Sequence, residues 1–450
     1  MQSINPYNNQ FIAEYTEMAL AEVNQLIDLT NEAWSKWKTT SFSHRAKLMK
    51  KAAVELRSQK LELATLITLE MGKRIVEAET EIEKCAWACD YYAENAAQLL
   101  ADEYLPSDGQ ISKVVFQPLG IVLAIMPWNY PFWQTFRFAA PALMAGNAAL
   151  LKHASNVQGC ALAIEKVFVN AGFPEHLFRT LVIGAEKVEP VIANPNVKAV
   201  TLTGSEAAGR AVAATAGRYL KKTVLELGGS DPCILLSDAN IDEAVEVGLK
   251  SRMLTSGQTC ISAKRFIVEK EIFPTVLQRM KVELEKYQPG NPLDEKVMLA
   301  PLAQAKFAEE IHQQVIASVS MGAKLEMGEN YTSGCFYPAT LLSGVTASMP
   351  VFQQEAFGPV VALIAVENEE EAVEMANCSN FGLGAAIWTT DLQKAERMAL
   401  QLEAGAVFIN GLVKSDPRLP FGGIKHSGYG RELSSYGMKE FCNIKTIWVK

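Results

Sequence analysis

A chain of 450 residues exceeds what one ordinary core organises, and its 49% hydrophobic and 20% charged residues suit a globular protein of two or three domains. A net charge of −8 excludes a general phosphate-backbone binder, so no nucleic acid is expected, although a local pocket can still oppose that charge for a small anion. The start carries no basic segment followed by an apolar run, and the most apolar stretches, GIVLAIMPW and FRFAAPALMAGNAALL, are broken before the roughly 20 apolar residues of a membrane span, so neither a signal peptide nor a membrane is expected.

In chain order, apolar residues recur at helical spacing over residues 19–38, 43–73 and 77–100, predicting three long helical segments. The character changes after Leu105, where ISKVVFQPLGIVLAIMPWN alternates and then runs apolar, as half-buried and buried strands do. GNAALLKHA, TLVIG and KAVTLTG read as strands between helices at 159–172, 185–194 and 205–217, an alternation that argues for a parallel sheet covered by helices. A second alternation follows VLELGGSDPCILL through AKRFIVEK, VFQQEAFGPVVALIAV, GAAIWTT and GAVFINGL, which places a domain boundary near Glu226–Gly229. The terminal NIKTIWVK is a short apolar strand that needs a neighbour, which another subunit can supply. Eight cysteines (85, 89, 160, 233, 260, 335, 378 and 442) are scattered without a CxxC pair, which disfavours disulfides and zinc and makes the cytoplasm the expected compartment.

Four segments carry candidate chemistry, each with a plain structural alternative. Cys260 in SGQTCISAKR sits in a small, polar loop before a strand; it is either a buried small hydrophobe or an accessible nucleophile. Glu226 in VLELGGSDP ends an apolar strand, as a solvated rim residue or as a base whose pKa is raised by its surroundings. Ser205 in TLTGSEAAGRAVAA can cap a helix whose free N–H groups favour a phosphate, though the GxxxxG spacing is not the usual dinucleotide fingerprint. Asn129 in MPWNYPFW precedes a proline fit for a first helical turn, and serves as a turn residue or as a donor to a developing oxyanion.

Seven segments, PWNYPFW, LLKHAS, LTGSEAAG, LELGGSDP, GQTC, QEAFGPV and PFGGIKHSGYGRE, occur in an order that resembles the aldehyde dehydrogenase superfamily over essentially the whole chain. The resemblance implies an α/β fold with a Rossmann-like cofactor domain (residues 1–104 and 121–227), an α/β catalytic domain (228–430) and a small β oligomerisation arm (105–120 and 431–450). It implies a homodimer or homotetramer acting on a small-molecule aldehyde. Cys260 then corresponds to the nucleophile that forms a thioester, Asn129 to the oxyanion donor and Glu226 to the base that activates water. Trp128, Lys152, Gly204, Ser205, Glu355 and Phe357 match cofactor-binding positions. No metal is implied.

Relatives that prefer NAD usually carry a glutamate three residues after the matching lysine; here Lys152 is followed by His153, Ala154 and Ser155. A neutral serine beside a lysine can accept a 2′-phosphate that a carboxylate would repel, so NADP is the expected cofactor, with NAD used more weakly. Arg137 lies eight residues after Asn129, about two helical turns or roughly 12 Å. It resembles an arginine of succinate-semialdehyde dehydrogenases, and Ser415, six residues before Phe421, resembles their pocket serine. A second arginine of some such enzymes has no direct match, Arg252 standing about one turn away. Succinate semialdehyde is the expected substrate, with glutarate semialdehyde or another small aldehyde as the alternative. An intact Glu226 argues against a CoA-acylating enzyme, and the intact set of Cys260, Asn129, Glu226 and Glu355 against a non-catalytic structural relative. Thr259 and Ile261 flank Cys260, so a disulfide switch within that loop is not available.

Overall fold

The N-terminal helical pattern folds into four helices behind a short hairpin. The computed structural model describes residues 1–328 and 331–450. The strands β1 (Gln2–Ile4) and β2 (Phe11–Glu14) pair antiparallel at the start, a hairpin that the helical reading did not contain. Helix α1 (Leu20–Trp37) follows. Residues 43–73 then break at Gln59, whose φ of −106° and ψ of 13° leave the helix for one residue and separate α2 (Phe42–Ser58) from α3 (Lys60–Met71). In α4 (Ile75–Leu99) the buried Ile75, Ala78, Ile82, Cys85, Cys89, Tyr92 and Ala96 form the inward stripe, and Glu81 is buried among them.

After β3 (Glu103–Tyr104) and β4 (Ile111–Pro118), a first sheet is built by β5 (Ile121–Met126), α5 (Pro131–Ala145), β6 (Ala148–His153), α6 (Gln158–Asn170), β7 (Phe178–Thr180), α7 (Val188–Ala193), β8 (Val197–Thr203), α8 (Glu206–Arg218) and β9 (Lys222–Glu226). The strand expected at 180–184 sits upstream, because the ladder to β6 uses Phe178–Thr180, while Leu181–Ile183 are buried beyond its end. The five strands run parallel in the order β9-β8-β5-β6-β7. The order turns around between β5 and β8, and a crevice at such a point, outside the carboxyl ends of the strands, is where open α/β sheets bind ligands. Helix α5 is buried along its whole length, which fits a sequence that is apolar all round.

The chain leaves this sheet at Leu227 and starts a second with β10 (Asp231–Leu235). That sheet collects α9 (Ile241–Met253), β11 (Ala263–Glu269), α10 (Phe273–Leu284), α11 (Ala305–Ser320), β12 (Lys324–Met327), β13 (Thr340–Ser343), α12 (Pro350–Gln353), β14 (Val360–Val366), α13 (Glu369–Asn377), β15 (Phe381–Gly382), β16 (Gly384–Trp388), α14 (Leu392–Ala399) and β17 (Ala406–Ile409). Its order is β12-β13-β14-β11-β10-β16-β17, parallel except for β12, while β15 pairs instead with β18 (Ile424–Lys425). Alternate residues feed separate cores on its two faces, Ile234, Ile267 and Ile364 on one and Leu235, Phe266 and Leu363 on the other.

Strand β19 (Gly428–Tyr429) falls within residues 228–430, yet it pairs antiparallel with Glu226 and Leu225 of β9, so the chain returns to the first sheet there. Helix α15 (Ser434–Glu440) leads into β20 (Cys442–Val449). The terminal strand finds its neighbour within its own chain, pairing antiparallel with β4 from Cys442↔Pro118 to Val449↔Ile111. Its other edge stays open, and Ile444, Trp448 and Val449 are exposed. Among the described residues no helix is long and apolar enough to cross a membrane, and no group of His, Cys, Asp and Glu is arranged to hold a metal ion.

Candidate active site

The reversal of strand order in the first sheet gathers most of the expected residues. Trp128 and Asn129 follow β5, Lys152 is the penultimate residue of β6, Gly204 and Ser205 follow β8, and Glu226 ends β9. Pro131 occupies the first turn of α5, whose opening N–H groups are satisfied from another helix: the Glu81 carboxylate of α4 accepts from the N–H groups of Phe132 and Trp133, both at 2.9 Å. Glu81 is itself buried against the Lys73 ammonium, which lies 3.5 Å from the centroid of the Tyr130 ring. A carboxylate at a helix N-terminus is favourable, and here it fixes the segment that carries Asn129 and Arg137.

The loop bearing Cys260 is held from all sides. Thr255, Ser256 and Gly257 follow α9 with consecutive left-handed φ values of 52°, 53° and 78°. Two of these are not glycine, and such strain persists only where surroundings over-determine it. Glu77 accepts from the Thr255 N–H (3.0 Å), Ser256 Oγ donates to Ala300 O (2.8 Å), and Asn129 Nδ2 donates to Gln258 O (2.8 Å). Lys264 Nζ donates to the carbonyls of Thr259 (2.9 Å) and Cys260 (2.7 Å). Arg252 does not face the cavity. Fully buried, it donates to Val360 O (2.6 Å), Ala356 O (2.7 Å), Ser262 Oγ (2.6 Å) and Gly358 O, which ties the cysteine loop to the loop bearing Glu355.

A Cβ on Gly257 would stand 2.2 Å from the Gly358 carbonyl oxygen, at a φ that side chains rarely adopt. Gly257→Ala is therefore expected to cost at least about 2 kcal/mol of stability and to displace the thiol, read as a lower urea midpoint together with reduced activity.

Cys260 itself is half-buried. Burial pushes its thiol up to about 12, against the pull of the nearby Lys264 and Arg137 cations. In front of it lies a cavity of about 110 Å³ lined by Tyr130, Trp133, Arg137, Thr259, Cys260 and Ser415, with Lys84, Lys414 and Phe421 also on its wall. Both residues expected to meet the substrate are thus present. Arg137 is already engaged: it pairs with the buried Glu432, donates to Thr203 Oγ1 at 3.3 Å and packs over the Phe421 ring. Ser415 accepts from Lys84 Nζ (2.8 Å) and Trp133 Nε1 (3.0 Å), so both oxygen lone pairs are used and its own O–H is left to donate.

Glu226 is not among the residues that line this cavity; it is 2% exposed, and both its carboxylate oxygens lack a hydrogen-bond partner. Burial, reinforced by the Glu432 carboxylate, holds its pKa well above the ordinary range, while Arg137 and Arg431 oppose the shift. Asn129 keeps one amide hydrogen beyond the bond to Gln258, and its Oδ1 accepts from Gln134 Nε2 (3.1 Å), which orients the amide.

On the other side of the cysteine loop, Glu355 accepts from the Gly229 N–H (3.0 Å) and lies 3.6 Å from Lys264 Nζ. Phe357 meets Trp128 edge-on, with centroids 5.8 Å apart, and Phe307 stacks on Trp128 at 4.8 Å. Ser205 caps α8, its Oγ accepting from Ala208 N–H. Ser155 is exposed at the start of the 3-10 turn Ser155–Val157, three residues past the half-buried Lys152 of β6. His153 between them is buried, and burial lowers its pKa to about 4, so it stays neutral at pH 7 and bonds to Pro131 O.

A family model described as "Aldehyde dehydrogenase family" matches residues 1–447. The chain belongs to the aldehyde dehydrogenase family. It is 46% identical over 449 residues to the "Probable succinate-semialdehyde dehydrogenase [NADP(+)]" of Synechocystis sp., with 99% of each chain covered. It is 44% identical over 454 residues to the "Succinate-semialdehyde dehydrogenase [NADP(+)]" of Mycobacterium leprae, again covering 99% of each. Its fold superposes with a TM-score of 0.97 on the crystal structure of succinic semialdehyde dehydrogenase from Streptococcus pyogenes in complex with NADP+, at 36% identity and covering 100% of this chain and 99% of that one.

The residues of this aldehyde dehydrogenase also fit a nicotinamide dinucleotide. At Gly228 an added Cβ would stand 2.5 Å from Glu355 Oε2, and at Gly229 2.6 Å from Cys260 O, so only glycines let the Glu355 carboxylate and the cysteine loop close on this stretch of backbone. Three contributors escaped the sequence reading, and Arg252 was weighed there only against a substrate arginine. Phe307 comes from α11, far along the chain, and Lys264 looks like an ordinary charge of a strand. Lys84 sits in an amphipathic helix whose exposed-looking positions gave no signal.

Proposed function

We propose that this aldehyde dehydrogenase oxidises succinate semialdehyde to succinate with NADP+ as the preferred oxidant and NAD+ as a weaker one. The carrying observation is the small cavity before Cys260, which places a thiol and cationic side chains within one enclosure. Arg137 and Ser415 stand on the wall that receives the distal carboxylate. The printed names of the relatives from Synechocystis sp. and M. leprae, and the NADP+ complex from S. pyogenes, support the same substrate and cofactor.

The Cys260 thiolate attacks the aldehyde carbon, and the carbonyl π electrons move to oxygen, where the free Asn129 N–H and the Cys260 backbone N–H hold the charge. The oxidised nicotinamide, when bound, supplies the acceptor for the hydride that the substrate carbon gives up. Collapse of the oxyanion leaves a thioester on Cys260. Glu226 takes a proton from water, whose oxygen adds to the thioester carbon; the C–S bond breaks, returning the thiolate and releasing the acid. With the cofactor bound, Glu355 would hold the nicotinamide-ribose hydroxyls, next to the contacting Trp128 and Phe357 side chains. Gly204 and Ser205 offer the α8 N-terminus to the pyrophosphate, and Lys152 with Ser155 meets the adenosine 2′-phosphate.

Residues 1–104 and 121–227 act as the cofactor domain, 228–430 as the catalytic domain, and 105–120 with 431–450 as an arm. The open edge of β20 on that arm suits a homodimer or homotetramer. The eight free cysteines suit a cytoplasmic enzyme.

Initial rates of NADPH formation with succinate semialdehyde against butyraldehyde test the substrate; equal kcat/KM for the two would overturn it. Ser155→Glu tests the cofactor. It is expected to lower kcat/KM for NADP+ at least about 10-fold relative to NAD+, since a carboxylate repels the 2′-phosphate and accepts from the ribose hydroxyls. An unchanged ratio would remove Ser155 from the cofactor site.

A further inference from the structure

We infer that the N-terminal hairpin belongs to the cofactor site: through the Ser3 hydroxyl it positions the turn that presents Ser155, so the preference for NADP+ over NAD+ depends on residue 3. This deepens the cofactor reading and rests on its assignment of Ser155 to the 2′-phosphate. Ser3 lies in β1, fully buried and far along the chain from that turn. It shares its single hydroxyl hydrogen between Glu70 Oε1 of α3 at 2.6 Å and the carbonyl oxygen of Asn156 at 3.2 Å. Asn156 directly follows Ser155 and is buried, whereas Ser155 is exposed. The bond therefore fixes the backbone one residue past the side chain that meets the cofactor, and leaves that side chain free.

Glu70 completes the clamp. Its fully buried carboxylate accepts from the N–H groups of Gly159 (3.0 Å) and Cys160 (2.9 Å) in the opening turn of α6, where the positive end of the helix favours it. Tyr15, just past β2, adds its hydroxyl at 3.4 Å. A Cβ on Gly159 would stand 2.8 Å from both Glu70 Oε1 and the Tyr15 hydroxyl, so a glycine there lets the clamp close on the helix. On the upstream side, Gln158 Nε2 donates to Ala154 O at 3.1 Å. Ser155 is thus carried between two held neighbours, Ala154 by Gln158 and Asn156 by Ser3. Removing the Ser3 hydroxyl withdraws a donor from the Asn156 carbonyl and from the buried Glu70 carboxylate together. The turn then loses its register with the 2′-phosphate, whose charge-assisted hydrogen bonds depend steeply on geometry. NAD+, which has no phosphate at that position, loses far less.

The test measures calorimetric dissociation constants and steady-state kinetics for NADP+ and NAD+ in wild type, Ser3→Ala, Ser3→Cys, Ser155→Ala and the Ser3→Ala, Ser155→Ala double variant. Thermal melting verifies that each is folded. Ser3→Ala is expected to weaken NADP+ binding at least about 5-fold and NAD+ binding less than about 2-fold, the kinetic loss falling on KM for NADP+ and not on kcat. Ser3→Cys, close in volume and a weaker donor, shifts the ratio of the two affinities the same way with less disturbance of the core, and decides the matter should the alanine variant not fold. In the Ser155→Ala background, Ser3→Ala changes that ratio no further, because its effect passes through Ser155. If Ser155→Ala lowers the ratio while both Ser3 variants keep it, or if the two losses simply add, the clamp is only structural and the inference is overturned, while Ser155 keeps its place. If Ser155→Ala itself leaves the ratio at the wild-type value, the reading of Ser155 fails, and the inference fails with it.

Discussion

Cys260→Ala is expected to reduce aldehyde oxidation at least about 10⁴-fold while leaving NADPH binding near its wild-type strength. The loop arguments make this a loss of chemistry and not of structure, because every grip on it is made by backbone carbonyls, backbone N–H groups or residues other than Cys260. No other side chain on the cavity wall is placed to substitute. Tyr130 and Thr259 bond to each other at 3.1 Å, and both lone pairs of the Ser415 oxygen accept, from Lys84 and Trp133, which makes it a poor nucleophile. Cys260→Ser keeps the shape but not the acidity, and should remain far below wild type. Because burial places the thiol at about 12, wild-type acylation should accelerate as pH rises through the neutral range, for only the thiolate attacks. Single-turnover absorbance at several pH values measures this; a pH-independent first turnover would show that the thiolate is already formed before the aldehyde arrives.

Glu226→Gln is expected to divide the reaction in two. The first turnover proceeds, giving a burst of about one NADPH per active site, and the steady-state rate then falls by about 10²- to 10⁴-fold because water has lost its base. The residue has no hydrogen-bond partner that a glutamine would forfeit. Its raised pKa sets the sign of the pH effect: a protonated carboxyl cannot accept the proton of water, so the wild-type steady-state rate falls as pH drops through that raised value, and the glutamine variant lacks this limb. Stability shifts the other way. Between the ordinary carboxylate value and the raised one, the folded chain binds more protons at Glu226 than the unfolded chain, so wild-type stability is lost as pH rises through that window. Urea unfolding across pH should show a flatter profile for the glutamine variant. A variant without a burst would mean that Glu226 acts before the thioester forms.

Much of this was legible in the chain because local rules and global fold agree. The βαβ alternation and the run of seven motifs put Asn129 and Ser205 just after strands and Glu226 at a strand end, and such ends gather where the order of a parallel sheet reverses, while Cys260 and Glu355 stand before strands of the second sheet. What escaped depends on contacts between distant segments. Lys84 reads as one more charge on an amphipathic helix, and only the approach of residue 415 turns it inward. The same holds for Arg252, whose partners lie more than a hundred residues away at Ala356, Gly358 and Val360. The N-terminal hairpin was missed because two strands of three and four residues are too short to show a period. The terminal strand's need for a neighbour was legible, but its pairing with residues 111–118 is a contact across more than three hundred residues that periodicity alone does not show.

The distribution of thiols has a consequence for oxidative damage. Cys85, Cys89, Cys160, Cys233 and Cys442 are buried, Cys335 is half-buried and Cys378 is exposed, and among the described residues no second cysteine lines the cavity before Cys260. A peroxide that converts Cys260 to a sulfenic acid therefore finds no resolving thiol in that chamber. Unless a small external thiol enters the chamber and caps it, further oxidation runs on to the sulfinic acid, which ordinary reductants do not reverse. An enzyme built this way depends on its surroundings for repair, and reduced glutathione or a similar small thiol would act as its guardian during peroxide exposure.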